Sequence, residues 1–190
     1  MGSTEETTHA LDRRVVIAGA GAAAALAGSG AARAQDAPAA GPLSGLPLDP
    51  PKIEFVYEAR VELDQGLLKL GMGPLGERRL VPITGGTFKG PRISGTVLSG
   101  GADRQLVRAD GVLLLHALYE LKTDDGAIIT VDNRVTIAKR PDGSRYAFSQ
   151  LDIIAPEGPH AWLNDLVFVG NLHSDPAQPK VVFIRVFSLT

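Results

Sequence analysis

The sequence predicts an all-β protein: a single antiparallel β-barrel of about 8–10 strands, preceded by an export signal and a disordered leader. Three observations predict the barrel. From residue 53 onward apolar residues recur with a period of two rather than 3.6. The runs are short and are punctuated by Gly, Pro and Asp turn signals. No window of helical length carries an apolar stripe.

The alternation is clearest at the start. From Ile53 to Leu63, one face carries Ile53, Phe55, Tyr57, Ala59, Val61 and Leu63, while Glu54, Val56, Glu58, Arg60 and Glu62 take the other. Further strand-like runs are Glu77–Ile83, Thr87–Lys89, Arg92–Leu98, Arg104–Arg108, Val112–Leu121, Ala127–Ala138, Arg145–Ile154, Trp162–Leu172 and Val181–Leu189. Turn signals separate them, among them Gly71-Met72-Gly73-Pro74, Gly85-Gly86, Gly100-Gly101, Asp110-Gly111 and Pro141-Asp142-Gly143. Val112–Leu121 and Val181–Leu189 are nearly apolar on both faces, which suits a closed sheet.

One hairpin can be put in register. A two-residue turn at Asp125-Gly126 would pair Asp124 with Ala127 and Glu120 with Val131. The pleat then gathers His116, Glu120 and Asn133 on one face, with Tyr119, Asp132 and Arg134 on the other.

The N-terminus carries an address. Arg13-Arg14 precede a weakly apolar run, Val15 to Ala32, and Ala32-Arg33-Ala34 supplies a small-x-small cleavage site. Residues 1–34 thus read as a twin-arginine signal peptide cleaved after Ala34, with retention as an uncleaved membrane anchor the alternative, and residues 35–52 as a disordered Pro/Ala/Gly leader. The expected location is the periplasm, with the twin-arginine machinery as a partner and no stable membrane span after cleavage. Gly19-Ala20-Gly21-Ala22-Ala23-Ala24 imitates a dinucleotide fingerprint, but no amphipathic helix or second strand follows it.

Composition narrows the chemistry. The formal net charge of -2 leaves no basic excess for nucleic acid. The signal removes equal numbers of basic and acidic residues, so this charge carries over to the mature chain. Cysteine is absent, which excludes disulfides, thiol nucleophiles and Cys-zinc sites. His116, His160 and His173 lie on separate elements without ligand spacing, so neither a metal nor a cofactor is predicted.

Several ordered motifs resemble a known family. Gly71-Met72-Gly73-Pro74-Leu75-Gly76-Glu77-Arg78 is similar to its opening loop, and Gly85-Gly86-Thr87-Phe88-Lys89-Gly90-Pro91-Arg92-Ile93-Ser94-Gly95 to its most distinctive segment. Gly100-Gly101-Ala102-Asp103, Arg108-Ala109-Asp110-Gly111, Thr123-Asp124-Asp125-Gly126-Ala127 and Ala161-Trp162-Leu163-Asn164 follow in order. The chain resembles the bacterial domain of unknown function family 3237 over nearly the whole mature length. The resemblance implies an antiparallel β-barrel and no defined reaction. The chain departs from the family pattern at His116, usually acidic, Leu118, often Arg, and His160, where Tyr is usual.

Two groups of residues are candidates for function. His116 with Glu120 forms a candidate acid–base pair, beside Asn133; the other use of these residues is a self-satisfied polar cluster. His160, Trp162 and Asn164 would orient a ligand at a barrel mouth, or else plug the barrel end and tie a loop. Asp103 and Arg108 flank a short strand beside Gly100-Gly101, where glycine allows either a close ligand approach or a turn. Two functions follow: a barrel that binds a small apolar or aromatic molecule, or a cofactor-independent lyase, isomerase or hydrolase. A structural or assembly factor with a filled barrel is a third.

Overall fold

The structure, a computed structural model, describes residues 50–190. The predicted signal and the leader up to residue 49 lie outside the described residues. The elements in order are β1 (Ile53–Leu63), β2 (Leu68–Gly73), β3 (Gly76–Lys89), β4 (Ser94–Val97), β5 (Ala102–Val107), β6 (Leu113–Thr123), β7 (Ile128–Lys139), β8 (Arg145–Ile154), a 3-10 turn (Ala161–Asp165), β9 (Phe168–Ser174) and β10 (Val181–Leu189). All strand pairs are antiparallel, in the order β1-β10-β9-β8-β7-β6-β4-β3-β2, with β5 between β3 and β6. Pairing of β1 with β3 closes the sheet into an eight-strand barrel. β4 and β5 lie end to end between β3 and β6, and β1 and β2 lie end to end along β3.

The strand runs fall where the alternation puts them, with instructive exceptions. Gly85-Gly86 is no turn: it lies inside β3, where that strand passes from β5 to β4. Gly86 has φ +141°, and a Cβ there would sit 2.1 Å from the Arg60 carbonyl oxygen. Only glycine lets the two backbones approach at the seam. In β1 the pairing shifts between Phe55 and Tyr57, so Val56 is an extra, buried residue. This bulge turns Phe55 outward, onto Phe187.

The β6–β7 hairpin is one residue wider than the two-residue turn predicts. Thr123 N–H donates to Ala127 O at 2.9 Å, and Gly126, at φ +95°, ends a three-residue loop. The Thr123 hydroxyl also accepts from Ala127 N–H at 2.8 Å, which locks this register. The same loop form recurs at Pro141-Asp142-Gly143. Glu120 therefore pairs with Thr130 and His116 with Arg134. A one-residue slip exchanges the faces of a strand relative to its neighbour.

One end of the barrel is plugged; at the other, open end Leu63, Leu113, Ile137 and Val182 are only partly buried. The predicted strand Trp162–Leu172 begins only at Phe168; Ala161–Asp165 forms the 3-10 turn instead. Asn164 fixes it by accepting Ala155 N–H at 2.9 Å and donating to Ala155 O at 3.0 Å. Local side chain to backbone bonds of this kind compete with strand pairing. Leu163, Phe168, Leu121 and Ile129 fill the space beneath.

Gly86→Ala should lower stability by roughly 3 kcal/mol or more, from backbone strain plus the clash with Arg60. Gly143→Ala, with open space around its Cβ, should cost only about 1 kcal/mol. Urea unfolding of the two variants checks the difference.

Candidate functional site: the barrel lumen

Inward residues of neighbouring strands line up in rows. Val81, Asp103, Ala117, Asn133 and Leu151 stand side by side from β3 to β8. The next row toward the open end is Gln105, Leu115, Val135, Ser149 and Gly170. The small residue Ala117 leaves room, and a cavity of about 230 Å³ opens there. Its walls include Leu63, Ile83, Leu113, Leu115, Ile137 and Val182. Larger hollows, such as one of about 940 Å³ beside Phe55, Phe183 and Phe187, are open grooves on the outer surface.

Several buried polar atoms along this cavity lack protein partners. Asn133 is 1% exposed, and neither its Oδ1 nor its Nδ2 is hydrogen-bonded. Asp103 is 8% exposed; Gln105 Nε2 donates to its Oδ2 at 2.8 Å, and its Oδ1 is free. Burial raises the Asp103 carboxyl above the ordinary range, and the Gln105 amide and His116 only partly oppose this. Deeper in, Tyr57 and Tyr119 are fully buried. Burial pushes both phenols up, and each hydroxyl perturbs the other without a proper hydrogen bond between them. Buried polar groups left without partners at this density are costly to the fold.

The predicted acid–base group does not assemble. The face shared by His116, Glu120 and Asn133 rested on the two-residue turn. In the observed register Asn133 points inward, while His116 and Glu120 lie on the outer side of β6. His116 Nε2 stands 3.0 Å from both Asp132 oxygens, with its side chain 49% exposed. Arg134 contacts Asp132 at 3.2 Å and Asp152 at 3.3 Å. Against partial burial, His116 and Arg134 hold Asp132 below the usual carboxylate range. This is a solvated ion-pair network, worth at most about 1 kcal/mol per pair. Tyr119, grouped with Asp132 and Arg134 by the predicted pleat, is fully buried on the inner face of β6 instead.

The second predicted group sits at the plugged end. Trp162 and Asn164 belong to the 3-10 turn rather than to a strand face. The Arg92 guanidinium lies 3.9 Å from the Trp162 ring. His160 is buried, with Nε2 at 3.0 Å from each oxygen of Asp125. Bonds from Thr123 and then His160 lower the Asp125 carboxyl. None of the three lines the cavity. Arg108 also stays outside it, paired with Asp110 in the β5–β6 turn.

Alternation alone could have found what was missed. Arg145 is in phase with the inward Ala147, Ser149 and Leu151, and Gln105 with Asp103. Among the described residues, no group of three or more His, Asp or Glu side chains is placed to hold a metal.

Comparison with known proteins agrees with this architecture. The model of the family described as "Protein of unknown function (DUF3237)" matches residues 51–189. A UPF0311 protein of Rhodopseudomonas palustris is 50% identical over 134 residues, 70% of each chain. A Penicillium herquei protein named a hydroalkoxylation enzyme is 29% identical over 123 residues, 63% of this chain and 81% of that one. A crystallised β-barrel-like protein from Acinetobacter baumannii superposes with a TM-score of 0.68 at 28% identity, covering 75% of this chain and 99% of that one. The ordered glycine motifs, the closed antiparallel barrel and these matches place the chain in the DUF3237 family.

Proposed function

We propose that this protein binds a small apolar or aromatic molecule in its lumen, after export to the periplasm by the twin-arginine route. One observation carries the binding reading: an apolar cavity of about 230 Å³ whose buried Asp103 and Asn133 have polar atoms with no protein partner. Small barrels enclose single ligands in this way, with a few polar groups setting orientation. An engineered cavity of about 150 Å³ holds benzene, so this volume suits one substituted ring. Export rests on Arg13-Arg14 and the Ala32-Arg33-Ala34 site.

Asp103 supports a second reading, cofactor-independent acid–base catalysis. A carboxyl raised by burial holds a proton closer to neutrality than an exposed one, which suits proton transfer. Hydroalkoxylation, the activity in the name of the Penicillium herquei relative, adds an O–H across a C=C bond. Such a step needs a proton delivered to carbon and one removed from oxygen. In this reading Asp103 takes the role first given to His116 and Glu120.

Native mass spectrometry of protein isolated from the periplasm should show a co-purifying molecule of one-ring size, and Ala117→Leu should weaken its binding at least tenfold by filling the cavity. If the molecule emerges chemically changed after incubation, Asp103→Asn should slow that change about 100-fold or more, measured by product formation. An unchanged molecule leaves binding alone.

Asp103 also makes a pH prediction. Its pKa is higher folded than unfolded. Below about pH 4 both states hold the proton and the group costs nothing. As pH rises further the unfolded chain ionises first, so the folded state loses relative stability until Asp103 itself ionises. Asp103→Asn removes that loss. The melting temperature of the variant minus that of wild type should rise from about pH 4 upward and then level off; a difference flat in pH would contradict the assignment. Asn164→Ala should cost about 2 kcal/mol by urea unfolding, since it orphans the Ala155 amide and carbonyl, and leave ligand affinity unchanged.

A further inference from the structure

We propose that the molecule held in the lumen is an aromatic monocarboxylate, its anion at the open end on Arg145 and its ring among the apolar walls; this rests on the lumen-binding reading above.

The first support is the place of Arg145. It is the first residue of β8 and lies on the same pleat face as Ala147, Ser149 and Leu151. It lines the same cavity as Asp103 and Asn133. Its Nη1 donates to Leu172 O at 2.8 Å, which ties the side chain across β9 at the cavity entrance. A guanidinium carries five N–H donors in a fixed fork suited to a carboxylate. Among the described residues, no carboxylate lies within salt-bridge distance of Arg145.

A second cation strengthens the argument. Lys139 is the registered partner of Arg145 across the β7–β8 ladder, so both start from the same face of the sheet. Like charges directly opposite one another destabilise a strand pair. Lys139 also lacks an acidic partner among the described residues. An anion seated between the two would relieve the repulsion.

The acids of the rim are otherwise engaged. Asp64 accepts Gly66 N–H at 3.3 Å, Asp110 accepts Val112 N–H at 3.1 Å, Asp142 accepts Ser144 N–H at 2.9 Å and Asp175 accepts Ala177 N–H at 2.9 Å. Each aspartate folds back on its own turn. The inner end supplies the other half of the recognition. Asp103 and Asn133 offer a hydrogen-bonding belt for a neutral polar substituent, such as a ring hydroxyl, while Leu113, Leu115 and Ile137 meet the ring.

The test compares two matched probe series by isothermal titration calorimetry at neutral pH: ring-alkylated para-hydroxybenzoates and the corresponding para-hydroxybenzamides. The shapes are nearly equal and only the charge differs. Wild type should bind the best benzoate at least tenfold tighter than its amide, the scale of one charge-assisted hydrogen bond. Arg145→Gln should reduce that preference, and Arg145→Gln with Lys139→Gln should abolish it, while the amide still binds with a smaller loss than the benzoate. Retained amide binding shows that the variants are folded with the cavity intact. Equal or weaker binding of benzoates by wild type overturns the anion assignment and leaves the lumen reading standing. So does a preference that survives in the double variant. Failure of both series to bind overturns the lumen reading and this inference with it.

Discussion

The pairing of β1 with β3 is the constraint on which the rest of this structure depends. A sheet of this size has two raw edges until those strands meet, and an open sheet has no interior. The meeting requires β3 to change partners midway, from β5 to β4 on one side and from β2 to β1 on the other. The glycine pair inside β3 permits that change, because Gly86 abuts the Arg60 carbonyl. Once the seam is shut, water leaves the inner face. That dryness is what raises the Asp103 carboxyl and both buried phenols.

The fold was legible because burial imposes a period of two on any strand with one face inward. β1 and β8 run between the residues at which the alternation starts and stops, and β10 spans its apolar run Val181–Leu189. β2 gave no such signal: Leu68, Leu70 and Met72 are all exposed, since the strand extends along β3 away from the core. The segment after Pro159 misled for another reason. Its Trp-Leu-Asn sequence looks extended, but Asn164 spends both polar atoms on Ala155 and coils the chain.

The site was only half legible, and the error has one cause. Asp-Gly invites a two-residue hairpin turn, yet Thr123 adds a side-chain bond to Ala127 that selects a three-residue loop. Moving the register by one sends His116 and Glu120 outward while Asn133 stays within. Asp103 and Asn133 come together only through Ala117 on the strand between them, a relation no local pattern contains. The two ends of the barrel treat polar groups differently. At the plug, Asn164 and Asp125 are held by several bonds, although His160 Nδ1 is left over. In the lumen, both polar atoms of Asn133 and one of Asp103 go without. The plug meets most of its hydrogen-bonding capacity within the fold, whereas Asn133 in the lumen meets none of its own.

The position of the single tryptophan has a practical side. Trp162 rides on the plug under the Arg92 guanidinium, and it is no part of the cavity wall. Its fluorescence is therefore a gauge of whether the capped end is intact, and a poor indicator of what the chamber contains. A silent emission spectrum during titration would say nothing against occupancy, so heat or mass is the sounder signal to follow.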